Sequence, residues 1–151
     1  MSVAELLAHK GGAIFTIKPN ETIAALSQLL REKRIGAAVV SLDGATVEGV
    51  ISERDIAYGL ATHKDALHQL PVSALMTKAV ICCSPQDTVG FVASTMMSRN
   101  IRHVPVADND RFVGMVSMRD VLNWRLVELQ QQTAQLRSFV AQTSTPPQDR
   151  E

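Results

Sequence analysis

Apolar residues recur three and four apart through Ile23, Leu26 and Leu30, which predicts an amphipathic helix from Thr22 to about Lys33, capped by Thr22. Ahead of it, Val3, Leu6 and Leu7 fall on one side of a short helix over residues 2–9, ended by Gly11-Gly12. Ala13 to Ile17 then reads as a strand closed by Pro19-Asn20. Gly36 stops the helix, and Ala37-Ala38-Val39-Val40 is an almost wholly apolar strand, the pattern of a strand covered on both faces. Asp43-Gly44 is a hairpin signal leading to a third strand, Val47 to Ser52, and a helix runs from Glu53 to about Ala61. Residues 62–71 form a polar connector, and Val72 to Met76 replays the short first helix.

The pattern then repeats. A shift of 66 residues sets Pro19 on Pro85, Thr22 on Thr88, Ile35 on Ile101 and Val40 on Val106. After the hairpin turn, which is one residue longer in the first copy, a shift of 65 sets Gly49 on Gly114, Ser52 on Ser117, Arg54 on Arg119 and Asp55 on Asp120. Each half reads strand, helix, strand, strand, helix. Duplicated units seldom bury their faces alone, so the halves are expected to pack around a pseudo-twofold axis as an α+β fold of small mixed sheets flanked by helices. The last helix breaks the symmetry. It starts near Met118 and continues to about Ala141, with Leu122, Leu126, Leu129, Thr133, Leu136 and Val140 alternating steps of four and three. That stripe suits a helix lying on its own domain and a dimer seam equally. Thr143 to Glu151 is polar with two prolines, the composition of a disordered tail.

Composition narrows the partners. Fifteen basic residues balance fifteen acidic ones, which argues against a nucleic-acid or anionic-membrane surface. The beginning of the chain has neither the basic region nor the apolar run of a signal peptide, and no apolar window is long enough to span a membrane, so the cytoplasm is expected. Cys82 and Cys83 are adjacent and are read as two buried strand thiols, since neighbours in a strand point to opposite faces and bridge poorly. His63 and His68 stand in the connector without further ligands and are read as surface residues, so no metal is expected.

The chemistry concentrates where a strand hands over to a helix. Ser52-Glu53-Arg54-Asp55 and Ser117-Met118-Arg119-Asp120 each place a hydroxyl, an arginine and a carboxylate at a helix start. Ser-x-x-Asp there is a capping box, the structural reading of either copy taken singly. The same residues also suit a nucleotide. Helix N-termini favour phosphate, an aspartate matches the two ribose hydroxyls, and an arginine supplies charge-assisted bonds.

Taken with Thr16-Ile17-x-Pro19-x-x-Thr22-Ile23, Pro85-x-x-Thr88-Val89 and Ile101-Arg102-His103-Val104-Pro105-Val106, these junctions resemble a cystathionine-β-synthase (CBS) domain pair, or Bateman module. The resemblance covers about residues 2–125 and divides the chain into repeat one (2–62), a connector (63–71), repeat two (72–125), a helical extension (126–141) and a tail (142–151). It implies a regulatory, non-catalytic protein that binds adenosine compounds (AMP, ADP, ATP, NAD(H) or S-adenosylmethionine) between the repeats; output through a homodimer or a protein target is expected beside it. Carried over, Asp120 holds ribose with Ser117 and Arg119 beside it, Thr16 lines that site from the opposite repeat, and Arg102 and His103 meet phosphate. The second site comprises Ser52, Arg54 and Asp55, with Cys82 in the place of Thr16 and with Gly36 and Ala37 in the places of Arg102 and His103. The Asp120 site is therefore expected to be the stronger. With few phosphate-binding groups in view, AMP ranks first and NAD(H) second. Two other readings are an NAD(H)-binding redox sensor or weak nucleotide enzyme using Cys82-Cys83, and an assembly module without ligand.

Overall fold

Thr22 and Thr88 start equivalent helices, and the computed structural model, which describes residues 1–12 and 14–144, shows how alike the two halves are. In chain order the elements are α1 (Val3–Lys10), β1 (Thr16–Ile17), α2 (Ile23–Lys33), β2 (Ala37–Val40), β3 (Gly49–Ser52), α3 (Glu53–His63), α4 (Val89–Arg99), β4 (His103–Asp108), β5 (Arg111–Ser117) and α5 (Met118–Thr143). Short 3-10 helices occupy Lys64–Gln69 and Val72–Ala74. The Thr22 hydroxyl accepts from Ala25 N–H and the Thr88 hydroxyl from Phe91 N–H, both at 3.1 Å. Both helices end on a left-handed residue, Arg34 (φ 53°) and Asn100 (φ 52°).

In the first sheet β1 runs parallel to β2 and β2 antiparallel to β3. In the second, β4 and β5 are antiparallel and the expected first strand shrinks to one parallel bridge, Cys83 to Val106. Pro105 stands where repeat one has Val39 and has no N–H to offer a ladder, and β4 is irregular at the next step, between Val106 and Ala107. The expected pair of buried thiols is corrected accordingly: Cys83 is buried and Cys82 is exposed.

Two hydrophobic clusters form the core, and the short helices cross between them. Val3 and Leu6 of α1 are buried with Val89, Val92, Met96, Val104, Val116 and Val121 of the second repeat. Leu67 and Val72 are buried with Ile17, Ile23, Leu26 and Ile51 of the first. Each such side chain contributes roughly 1.5–3 kcal/mol by leaving water, so the exchange is firmly held. Backbone bonds mirror it: Val3 N–H donates to Asp87 O (2.8 Å) as Val72 N–H donates to Glu21 O (2.7 Å). The connector read as merely polar thus anchors repeat one through Leu67, while His63 and His68 are exposed as expected.

The glycine of each repeated junction has a steric reason. A Cβ on Gly114 would lie 2.8 Å from the Leu7 side chain, and one on Gly49 2.7 Å from Met76 Sδ. Both glycines let a crossing segment reach the strand, and Leu7 and Met76 are counterparts 69 residues apart.

The first turns of the C-terminal helix lie on their own repeat, with Val121 buried and Met118 and Trp124 packed against the core, and the stripe beyond them does not. Beyond Val121, Leu122, Leu126, Leu129, Leu136 and Val140 are 43–66% exposed, which removes the first of the two readings of that stripe. The helix continues through Thr143, so residues 142 and 143 of the expected tail are helical, and the tail from residue 145 lies outside the described residues.

Candidate functional site

The facing repeats leave two clefts, one at each strand-to-helix junction. The larger, about 760 Å³, is lined by Arg102, His103, Ser117, Arg119 and Asp120 together with Gly36 and Ala37. The smaller, about 200 Å³, is lined by Ser52, Arg54 and Asp55 and again by Arg102 and His103. Gly36 and Ala37 line the larger cleft with Asp120, and they also adjoin the Asp55 junction, where Ala37 pairs with Ser52 in the sheet and Gly36 O accepts from Glu53 N–H (2.9 Å). Gly36 also adjoins the opposite repeat: a Cβ on it would lie 3.3 Å from His103 Cε1 and Nε2 and 3.4 Å from Glu53 Oε1. Thr16, paired with Val39 in β1, and Cys82 are not among the residues lining either cleft; Ile14, Phe15, Val80 and Ile81 line them instead. Lys33 stacks over the Phe15 ring, 5.3 Å from its centroid.

Asp120 is fixed from three directions. Its Oδ2 accepts from Ser117 N–H (2.8 Å) and from Lys10 Nζ (2.8 Å), while its own N–H donates to Ser117 Oγ (3.2 Å). Burial alone would raise the carboxyl, but the bonds from Lys10 and Ser117 outweigh it and hold the group below the ordinary carboxylate range. Asp55 Oδ2 accepts from Ser52 N–H (2.8 Å) and Ser52 Oγ (3.2 Å), with no lysine joining them. Each aspartate caps the serine N–H before its helix, and at the second junction the Ser117 hydroxyl also accepts from the helix while the Ser52 hydroxyl donates to Asp55 instead; a carboxylate still faces each cleft.

Lys10 is the residue that sequence reasoning missed. From the last turn of α1 it also donates to the Met115 carbonyl (2.8 Å). Met115 is the counterpart of Val50, whose carbonyl is satisfied by a backbone N–H, that of Thr77 (2.9 Å). At the 69-residue offset of the crossing segments, Lys10 corresponds to Ala79, which lines the smaller cleft. A basic residue facing alanine across the internal repeat was the available signal.

His103 is half-buried, and burial pushes its pKa below the ordinary histidine value; Lys10 and Arg102 push the same way, and Glu53 and Asp120 oppose them. Its surroundings thus favour the neutral imidazole over the charged one. Neither thiol serves a cleft: Cys83 is pushed up to about 12, first by burial, and the Cys82 thiol is raised by burial as well. A low-pKa thiolate, the requirement for a redox centre at this pair, is not what these surroundings produce. Among the described residues no group of histidines, cysteines and carboxylates is placed to hold a metal, and no helix is long and apolar enough to cross a membrane.

The CBS domain family matches residues 4–62 and 72–127. The chain belongs to the CBS-domain family. Its fold is that of solved CBS-domain structures. The CBS-domain protein ATU1752 of Agrobacterium tumefaciens superposes with a TM-score of 0.78 at 36% identity, over 82% of this chain and 92% of that one. The CBS-domain protein PAE2072 of Pyrobaculum aerophilum, complexed with AMP, gives 0.76 at 30% identity, over 88% and 99%. The CBS domain pair of protein MJ0100, in complex with 5-methylthioadenosine and S-adenosyl-L-methionine, gives 0.76 at 26% identity, over 85% and 98%. Among curated relatives the matching stretch covers from 22% to 83% of the relative's own length, so a CBS pair makes up most of some proteins and a minor part of others.

Proposed function

We propose that this CBS pair is a non-catalytic regulatory module that binds an adenine nucleotide in the larger cleft, with AMP the smallest ligand to engage Asp120 together with Arg102, His103 and Arg119. The observation that carries this reading is the Asp120 carboxylate, kept ionised and facing the same cleft as Arg102, His103 and Arg119. The carboxylate accepts the ribose hydroxyls, and the arginines and His103 take the phosphate. The AMP and S-adenosyl-L-methionine complexes of the two neighbours support an adenosine ligand. The smaller cleft, where Arg54 is turned to the Asn100 carbonyl (3.3 Å), binds the same class more weakly. Output passes through a homodimer built on the exposed stripe of α5 or through a protein target that reads the dimer, because a ligand shifts such an equilibrium only by binding one state better.

The test is mass spectrometry of small molecules released by denaturing the purified protein, followed by calorimetric titration with AMP. An adenine nucleotide in the released fraction, and saturable AMP binding that Asp120→Ala weakens, is the expected result. An empty fraction with no AMP binding removes the reading and leaves the assembly module.

A further inference from the structure

The larger cleft has a basic rim that the smaller one lacks. Arg31 and Arg34, at the end of α2, line the larger cleft together with Lys10, Arg102 and Arg119, against two acidic residues, Glu53 and Asp120. The smaller cleft balances Arg54 and Arg102 against Glu53 and Asp55. The internal repeat makes the contrast specific. The counterparts of Arg31, Arg34 and Lys10 are Met97, Asn100 and Ala79, all uncharged.

Arg34 occupies a position its backbone does not favour. It closes α2 in the left-handed region at φ 53°, where asparagine is enriched and long side chains are uncommon. Repeat two places Asn100 at the same turn with φ 52°. An arginine here is therefore not explained by the turn. Among the described residues the ion pairs are Lys10 with Asp120 and Arg125 with Glu128, so Arg31, Arg34, Arg102 and Arg119 all face the cleft without a carboxylate partner. A concave surface lined by one sign of charge concentrates the opposite ion. A single phosphate brings about −1.5 to −2 charges, fewer than the four unpaired guanidiniums.

Resting on the reading of this cleft as an adenine-nucleotide site, we propose that it selects a nucleotide carrying two or three phosphates. Arg102, His103 and Arg119 hold the first phosphate, and Arg31 and Arg34 read those beyond it. This reverses the ranking drawn from sequence, where few phosphate-binding groups were in view. A cationic adenosine such as S-adenosylmethionine is disfavoured in this cleft by the same charge.

The experiment is calorimetric titration of adenosine, AMP, ADP, ATP and inorganic tripolyphosphate into the full chain and into an Arg31→Met, Arg34→Met double variant. Both side chains are exposed, and AMP binding by the variant reports that it is folded. The expected result is ADP or ATP binding at least about tenfold more tightly than AMP in the wild type, with that ratio falling toward one in the variant. Tripolyphosphate is expected to bind more weakly than ATP because it lacks the ribose that Asp120 holds. Equal or tighter binding of AMP, or an ATP-to-AMP ratio untouched in the variant, overturns the polyphosphate preference and leaves the nucleotide reading standing. Tripolyphosphate binding as tightly as ATP, with no measurable AMP binding, overturns the nucleotide reading and with it this assignment.

Discussion

Lys10 Nζ lies 2.8 Å from Asp120 Oδ2, an ion pair between residues 110 apart that ties the first helix to the last strand-to-helix junction. The pair is partly exposed, with 36% of the Lys10 and 15% of the Asp120 side chain open to solvent, so its contribution is modest. Lys10→Met is expected to destabilise the fold by about 1 kcal/mol at pH 7, counting a screened ion pair and one lost bond to a carbonyl. Because the folded Asp120 carboxyl is held below its ordinary range, that stability is present above the unfolded carboxylate pKa and is lost as pH falls through the folded value. Urea midpoints of wild type and variant should converge on acidification below about pH 4. Midpoints that stay equally far apart in acid would show that Lys10 acts through packing.

The two junctions are predicted to be unequal toward AMP. Asp120→Ala removes a carboxylate that faces the arginines and His103 in the larger cleft, and should weaken AMP binding by roughly ten- to a hundredfold, the range of one charge-assisted bond. Asp55→Ala should weaken it less. A greater loss from Asp55→Ala would contradict the assignment of the main site.

His103 links binding to protons. Its neutral form is favoured by burial, Lys10 and Arg102 against Glu53 and Asp120, and a bound phosphate shifts the balance toward the charged form. Nucleotide binding near pH 7 should therefore take up more protons in the wild type than in His103→Gln, measured calorimetrically in buffers of different ionisation enthalpy. Without ligand the sign is fixed by the same depression. The unfolded histidine binds a proton first, so stability falls as pH drops below the ordinary histidine value of about 6.5 and levels off below the folded one. His103→Gln should lack that decline. Identical proton uptake in both proteins would remove His103 from the phosphate site.

Gly36 offers a smaller perturbation of the same ring. An added Cβ at 3.3 Å from His103 is tighter than ordinary contact, so the imidazole must shift by a few tenths of an ångström. Gly36→Ala is expected to weaken AMP binding less than His103→Gln does, with a stability change within about 1 kcal/mol. An effect larger than that of His103→Gln would mean that Gly36 itself touches the ligand.

What the sequence disclosed follows from what repeats in it. The helices of Thr22 and Thr88, the hairpin at Asp43-Gly44 and the junctions at Ser52 and Ser117 each rest on local chemistry: a cap, a turn residue or an apolar period. The crossing of α1 into the second core was not legible, because Val3 and Leu6 present the same apolar face to either repeat. Lys10 depends on that crossing and was hidden with it. The loss of the strand at Cys83 turns on Pro105, 22 residues away in sequence and adjacent only in the sheet. Gly36 read as a missing charge because its counterpart is Arg102, yet the space it leaves is filled by His103 from the opposite repeat.

The exposed stripe of α5 makes the oligomeric prediction definite. Leu126, Leu129, Leu136 and Val140 are 43–66% exposed along a helix of 26 residues, and with Leu122 and Thr133 they follow the alternating steps of a two-stranded seam. An apolar seam left in water is unfavourable, and pairing two copies through it buries both. The wild type should run as a dimer in sedimentation equilibrium, and a Leu129→Glu, Leu136→Glu variant as a monomer, since each glutamate would place a charge in the dry seam. Both positions lie far along α5 from Asp120, so AMP titration of the variant is the control that its clefts are intact. A monomeric wild type at concentrations well above those of binding assays would discard the seam and assign the stripe to a different protein.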